Sequence, residues 1–168
     1  CAGAGWKGVL MLSINLRRVW PGLLWVVAGV TGIWSAASAP AAPAADFSLA
    51  VFSVDVTIPL HHRCMGILPT KSVKIVDRLY AHGFVLQGGE RPIVLCAVDW
   101  CEIRNGAYDQ WRDALAAAAG TTRQCVLVSS VHQHDAPVTD AGAARLLAEV
   151  GLPGERYDEA FHDDAVRR

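Results

Sequence analysis

Downstream of residue 45 the apolar and polar positions fall into short runs whose period changes along the chain. Residues 47–56 are rich in β-branched and aromatic side chains and predict a strand, ended by Thr57-Ile58-Pro59. Residues 61–77 show no period and hold Gly66 and Pro69, which predicts a long loop of the kind that often carries function. Two further strands are predicted over 79–86 and 92–98. Gly88-Gly89 between them is a hairpin signal, because glycine takes positive φ without strain, so this pair is expected to be antiparallel. Asn105-Gly106 then opens a helix over 107–119, in which Trp111, Leu115 and Ala118 recur at helical spacing and Gly120 supplies the stop. The near-continuous apolar run over 124–130 is of the type buried in the centre of a sheet. Strand, helix and strand from 92 to 130 imply a parallel crossover. A helix over 140–150 follows, with Thr139 or Asp140 as its cap and Gly151 and Pro153 at its end. The expected fold is α/β: a mixed sheet with a β-hairpin and a parallel β-α-β crossover, with helices packed on the sheet.

The two ends modify this picture. Arg17 and Arg18 precede the apolar run Leu23 to Ile33 and the small residues 35–39, the order of a secretory signal with its cleavage site. The run is about eleven residues, too short for the roughly 20 that a spanning helix needs. With Met11 as the start, residues 1–10 read as untranslated leader. Residues 1–45 are then leader, signal peptide and Ala/Pro linker, and 46–168 the exported part. The C-terminus falls inside a polar helical stretch, Asp163-Asp164-Ala165-Val166-Arg167-Arg168, without Gly, Pro or an apolar anchor. This predicts an incomplete domain, truncated there and missing a downstream part of the same chain.

Composition narrows the functions available. A length of 168 residues with 52% hydrophobic content suits one packed domain. Lys and Arg number 15 against 16 acids, with no basic run longer than a pair, which gives nucleic-acid binding no electrostatic support. Of the five cysteines, Cys64, Cys96, Cys101 and Cys125 lie beyond the leader. None has the Cys-x-x-Cys spacing of a zinc knuckle. Cys96 and Cys125 sit in apolar runs, so buried free thiols are expected.

The chemistry concentrates at His132 and His134, two residues apart where a buried strand gives way to a loop. In extended backbone alternate side chains point the same way, so both imidazoles are expected to face one site at the carboxyl edge of the sheet. Ligands bind at that edge in open α/β sheets. Neutral imidazole suits Zn2+, and Asp135 beside the pair is placed to orient a ring through its second nitrogen. Asp99, at the carboxyl end of the preceding predicted strand, is a second candidate acid, with a cap or turn as its competing role. Asp55 is expected to be a buried carboxylate bonded to backbone. His61, His62 and His82 read as loop and strand-surface residues, and His162 as a solvated one.

The segments 54–59, 77–86, 94–99 and 126–137 together resemble the successive N-terminal landmarks of the neutral/alkaline non-lysosomal ceramidases. In that family the last landmark ends in His-Thr-His-Ser-Gly-Pro. Here it is His-Gln-His-Asp-Ala-Pro, from His132 to Pro137. The resemblance spans roughly residues 50–137 and implies a zinc-dependent amide hydrolase acting on N-acyl sphingosine or a related lipid. It places His132 at a metal-ligand position, and His134, with Asp135, beside the substrate. The family's other ligands, a His, a Glu and a Tyr, lie downstream of the stretch present here. Asp135 and Ala136 replace Ser and Gly, which alters the wall of the pocket.

The resemblance further implies that zinc polarises the scissile carbonyl and lowers the pKa of a bound water towards about 7. His134 is then expected to steady the substrate or its oxyanion, and Asp99 to relay protons. Peripheral contact with a membrane surface would accompany a lipid substrate. Two other readings compete. A metallo-β-lactamase-like hydrolase carries His-x-His-x-Asp-His, whereas Asp135 adjoins His134 directly. An exported binding domain without catalysis would use the two histidines as surface residues only.

Overall fold

A computed structural model describes residues 10–12, 46–64, 69–152 and 158–168. Apart from Leu10–Leu12, the predicted leader, signal and linker lie outside the described residues. Strands β1 (Leu10–Leu12), β2 (Ser48–Asp55), β3 (Tyr80–Gln87) and β4 (Ile93–Val98) precede the short β5 (Glu102–Arg104). Then follow α1 (Asn105–Ala119), β6 (Val126–Ser130), β7 (Val138–Asp140), α2 (Ala141–Glu149) and α3 (Glu159–Arg167). The main sheet has the order β1-β2-β3-β4-β6, and β5 pairs with β7 in a small sheet of its own. Pairing is antiparallel from β1 to β4 and parallel between β4 and β6, so the expected hairpin and crossover are both present. Among the described residues no helix is long and apolar enough to cross a membrane.

Register explains the core. Ala50, Val85, Val94 and Val126 form one row across the sheet, and Phe52, Gly83, Cys96 and Val128 form the next. Val54, Ala81 and Val98 form a third. These rows make the face on which the core gathers, with Trp111 and Ala116 of α1 and Ala165 of α3. Fully burying each valine contributes about 1.5–3 kcal/mol. Gly83 is required here, because a Cβ would stand 2.3 Å from the Phe52 ring and 2.5 Å from the Leu95 carbonyl. Gly88 takes φ 135 in the β3–β4 turn, as the hairpin signal demanded.

Helix α1 ends at Gly120 (φ 67), a left-handed cap whose following N–H, on Thr121, bonds the Ala116 carbonyl at 2.9 Å. Its inner face is carried by Ala107, Trp111 and Ala116, while Ala118 is exposed. The run over 124–130 is corrected: it begins with a 3-10 turn (Arg123–Cys125), and β6 is an edge of the main sheet rather than its centre. Its burial alternates, with Val126 and Val128 buried and Leu127 exposed, because only one face is covered by helix. Asp140 is the cap of α2, accepting from the Ala143 N–H at 2.9 Å.

His162 is the clearest departure. It is fully buried among Trp100, Trp111 and the body of α3, not solvated. α3 is polar in composition but turns Phe161, His162 and Ala165 inward, and three such positions suffice to seat a nine-residue helix. The four cysteines among the described residues are free thiols; Cys64, Cys96 and Cys101 are buried, whereas Cys125, expected to be buried like Cys96, is half-buried. Burial pushes the Cys96 thiol up to about 12, which makes it inert packing.

Candidate functional site at the carboxyl ends of β4 and β6

β4 and β6 are parallel neighbours, so their carboxyl ends lie side by side and the residues that follow them are brought together. Backbone bonds carry the pairing one step beyond the strands: the Val131 N–H donates to the Val98 carbonyl at 3.0 Å, and the His132 N–H to the Trp100 carbonyl at 3.2 Å. His132 then takes φ 61, which breaks the extended path. The imidazole pair is thus not presented by strand alternation. A left-handed turn at His132 brings the rings together, with centroids 5.4 Å apart and planes at 76°. The His132 side chain is 59% exposed, and His134 is exposed as well.

The loop is fastened from within. Gln133 donates to the Asp99 carbonyl at 3.0 Å and accepts from the Asp135 N–H at 3.1 Å. Ala136 and Pro137 are buried, and the Pro137 carbonyl accepts from the N–H groups of Cys101 (3.1 Å) and Glu102 (3.3 Å). Beneath this lies Trp100, fully buried, whose indole N–H donates to the Val56 carbonyl at 3.0 Å. The two histidines therefore ride on a stiff backbone although their rings face solvent.

Asp99 stands at the strand end as expected, but one carboxylate oxygen accepts from the Tyr80 N–H at 2.8 Å. It ties the start of β3, and its link to the histidine loop runs through its backbone carbonyl and Gln133. Asp135 is exposed, and its charge, after burial, helps raise the Cys64 thiol. The carboxylate set against a ring of the pair is Glu102, with Oε1 3.6 Å from His132 Nδ1. Sequence reasoning passed over it, although Trp100-Cys101-Glu102 directly follows the strand that ends near the site.

The other candidates lie elsewhere. Asp55 is half-exposed rather than buried. It accepts from the Thr57 N–H and from Arg78, both at 2.9 Å, and the Thr57 bonds first, then Arg78, hold its carboxyl below the ordinary range. His62 packs edge-on to Phe161, and His82 stacks on Tyr80. A concavity of about 620 Å³ lies on the open face of the sheet around Val51, Phe84, Leu95 and Leu127. None of the four candidate residues lines it.

In fold, the chain is similar to a neutral ceramidase. The crystal structure of neutral ceramidase from Pseudomonas aeruginosa superposes with a TM-score of 0.56 at 18% identity, over 73% of this chain. The match covers 20% of that chain, so the present chain spans about a fifth of the length of the structure it matches. No protein-family profile and no curated protein matches the sequence. The likeness is one of fold.

The donor chemistry can be tested against zinc directly. Two imidazoles are suitable ligands, but a catalytic zinc ordinarily takes three protein ligands. Among the described residues no group of three His, Cys, Asp or Glu side chains could hold a metal. Two imidazoles fall short of that number.

Proposed function

We propose that this chain is part of a zinc-dependent amide hydrolase of the neutral ceramidase type, with His132 as one metal ligand and His134 against the substrate. The observation that carries the reading is the ring-to-ring pair at the carboxyl ends of two parallel strands, within a fold shared with a neutral ceramidase. Both rings are exposed on a rigid loop, which is what a ligand needs and packing does not. The remaining ligands would come from outside the described residues. A zinc ion bound there would supply Lewis acidity and an activated water.

The chain's own groups would do the positioning. His134, 5.4 Å from His132 between centroids, would hold the carbonyl side of a lipid amide, an N-acyl sphingosine or a relative of it. Gln133 keeps the loop on Asp99, so that both rings hold their places when substrate arrives. The exposed Asp135 would meet the polar head of the substrate, and the rim would approach a membrane surface peripherally. With His132 as its one metal ligand, this chain would need ligands from elsewhere before it could turn over.

The test uses the whole protein that contains this chain. One tightly held zinc per chain is expected, together with hydrolysis of an N-acyl sphingosine. His132→Ala should remove both the metal and the turnover, and His134→Ala should lower kcat by about 10²- to 10³-fold. Normal turnover and zinc content in His132→Ala would overturn the proposal. So would two zinc ions per chain, the lactamase-like outcome, or none, the outcome for a binding module.

A further inference from the structure

Among the described residues, no backbone N–H donates to the Glu102 carboxylate, which meets two side chains instead. Its Oε1 lies 3.6 Å from His132 Nδ1, and its Oε2 is paired with Arg104 two residues along β5. The side chain is only 21% exposed, so the contact is partly shielded from water. At 3.6 Å the approach is longer than a hydrogen bond and within ion-pair range.

Both partners are fixed by the same strip of backbone. The Glu102 N–H bonds the Pro137 carbonyl, and β5 pairs in parallel register with β7, Glu102 opposite Val138. The His132 N–H bonds the Trp100 carbonyl two residues before Glu102. Carboxylate and ring are thus held within a few residues of common anchors. Arg104 occupies the oxygen that His132 does not face, so the carboxylate has one orientation in which both are served.

We propose that Glu102 is the positioning residue of His132: its carboxylate accepts from Nδ1–H, fixing the tautomer and the plane of the ring and leaving Nε2 as the atom that faces a ligand. The metal part of this inference rests on the zinc reading given above, whereas the tautomer part does not. A carboxylate on the far nitrogen is how ligating imidazoles are commonly oriented, and its loss ordinarily costs 10- to 100-fold in metal affinity. The competing role is a local ion pair with Arg104 that leaves His132 untouched.

Nitrogen-15 NMR of the full chain, metal-free and at a pH where imidazole is neutral, separates the two, with His132→Ala supplying the assignment. The wild-type ring is expected as the Nδ1–H tautomer. Glu102→Ala should release it to a mixture, and Glu102→Gln should retain it, because the amide oxygen still accepts. An Nε2–H ring in the wild type would overturn the inference without any variant having to fold. An unchanged tautomer in Glu102→Ala would overturn it too. Zinc competition against a chromophoric chelator, run on the whole protein, adds the second readout: a 10- to 100-fold weaker affinity in Glu102→Ala, largely rescued in Glu102→Gln. Equal affinity in all three would sink the positioning role while leaving the zinc reading intact. Absence of zinc binding in the wild type would sink the zinc reading and the metal part of this one, with the tautomer measurement still deciding the rest.

Discussion

The ring of Trp100 packs against His162, while its backbone carbonyl accepts from the N–H of His132, so one residue joins two histidine environments of opposite character. His162 is fully buried beside Trp100 and Trp111, with the Asp163 carboxylate 3.6 Å from its Nδ1. His132 and His134 stand in solvent with their rings against each other, on a backbone stitched to the core at Val98 and Trp100. Burial alone would have ranked His162 first among the histidines. Yet an enclosed imidazole has no room for substrate, whereas an exposed pair on a rigid loop has room and precision together. The rim takes its position from the core through the Val98 and Trp100 carbonyls.

Trp100→Ala is the strongest way to break that asymmetry. Removing a fully buried tryptophan should cost about 3–5 kcal/mol, read as a fall in the urea midpoint at unchanged slope. His134→Ala, on the exposed side, should stay within about 0.5 kcal/mol of wild type in the same titration. Comparable losses in the two variants would show that the rim is part of the core after all.

Asp140→Ala probes the seam between the two regions. Asp140 caps α2 by accepting from the Ala143 N–H, and both its oxygens accept from the Asn105 side chain, at 2.8 and 2.9 Å, where α1 begins at φ 49. The expected loss is about 1 kcal/mol. Hydrogen exchange should quicken in α2 and at the start of α1, with β3 and β4 as protected as before. Faster exchange across the main sheet would mean that the small β5–β7 sheet supports the core, contrary to the division drawn above.

What the chain discloses in advance follows from how local each signal is. The strands from 48 to 98 alternate over eight and six residues, and Gly88 and Gly120 mark turns that other residues adopt only with strain. Such signals are complete within a dozen residues. β5 and β7 have three residues each and pair across more than thirty, so no local pattern announces them. Glu102 became visible as a partner of His132 only through that pairing. Residue type singles out His132 and His134 in the sequence, but strand alternation does not account for their side-by-side rings, because His132 takes φ 61. The burial of His162 is hidden in the sequence because its helix is polar by count and apolar only along one narrow stripe.

The smallest expected effect concerns that buried imidazole and acid. Burial disfavours its charged form and holds its pKa below the ordinary 6.5, against the opposing pull of Asp163, the Ala107 carbonyl and Glu159. The unfolded chain therefore binds a proton near pH 6.5 that the folded chain refuses until lower pH. Over that window the unfolded state carries more protons, so stability falls as pH drops through 6.5 and is unaffected well above it. The opposing groups keep the effect modest. Thermal midpoints between pH 8 and 5 should decline more steeply for wild type than for His162→Gln, whose side chain does not titrate. Parallel curves would show that His162 escapes the enclosure on protonation, and with it the contrast between a silent core histidine and an open pair at the rim would lose its energetic half.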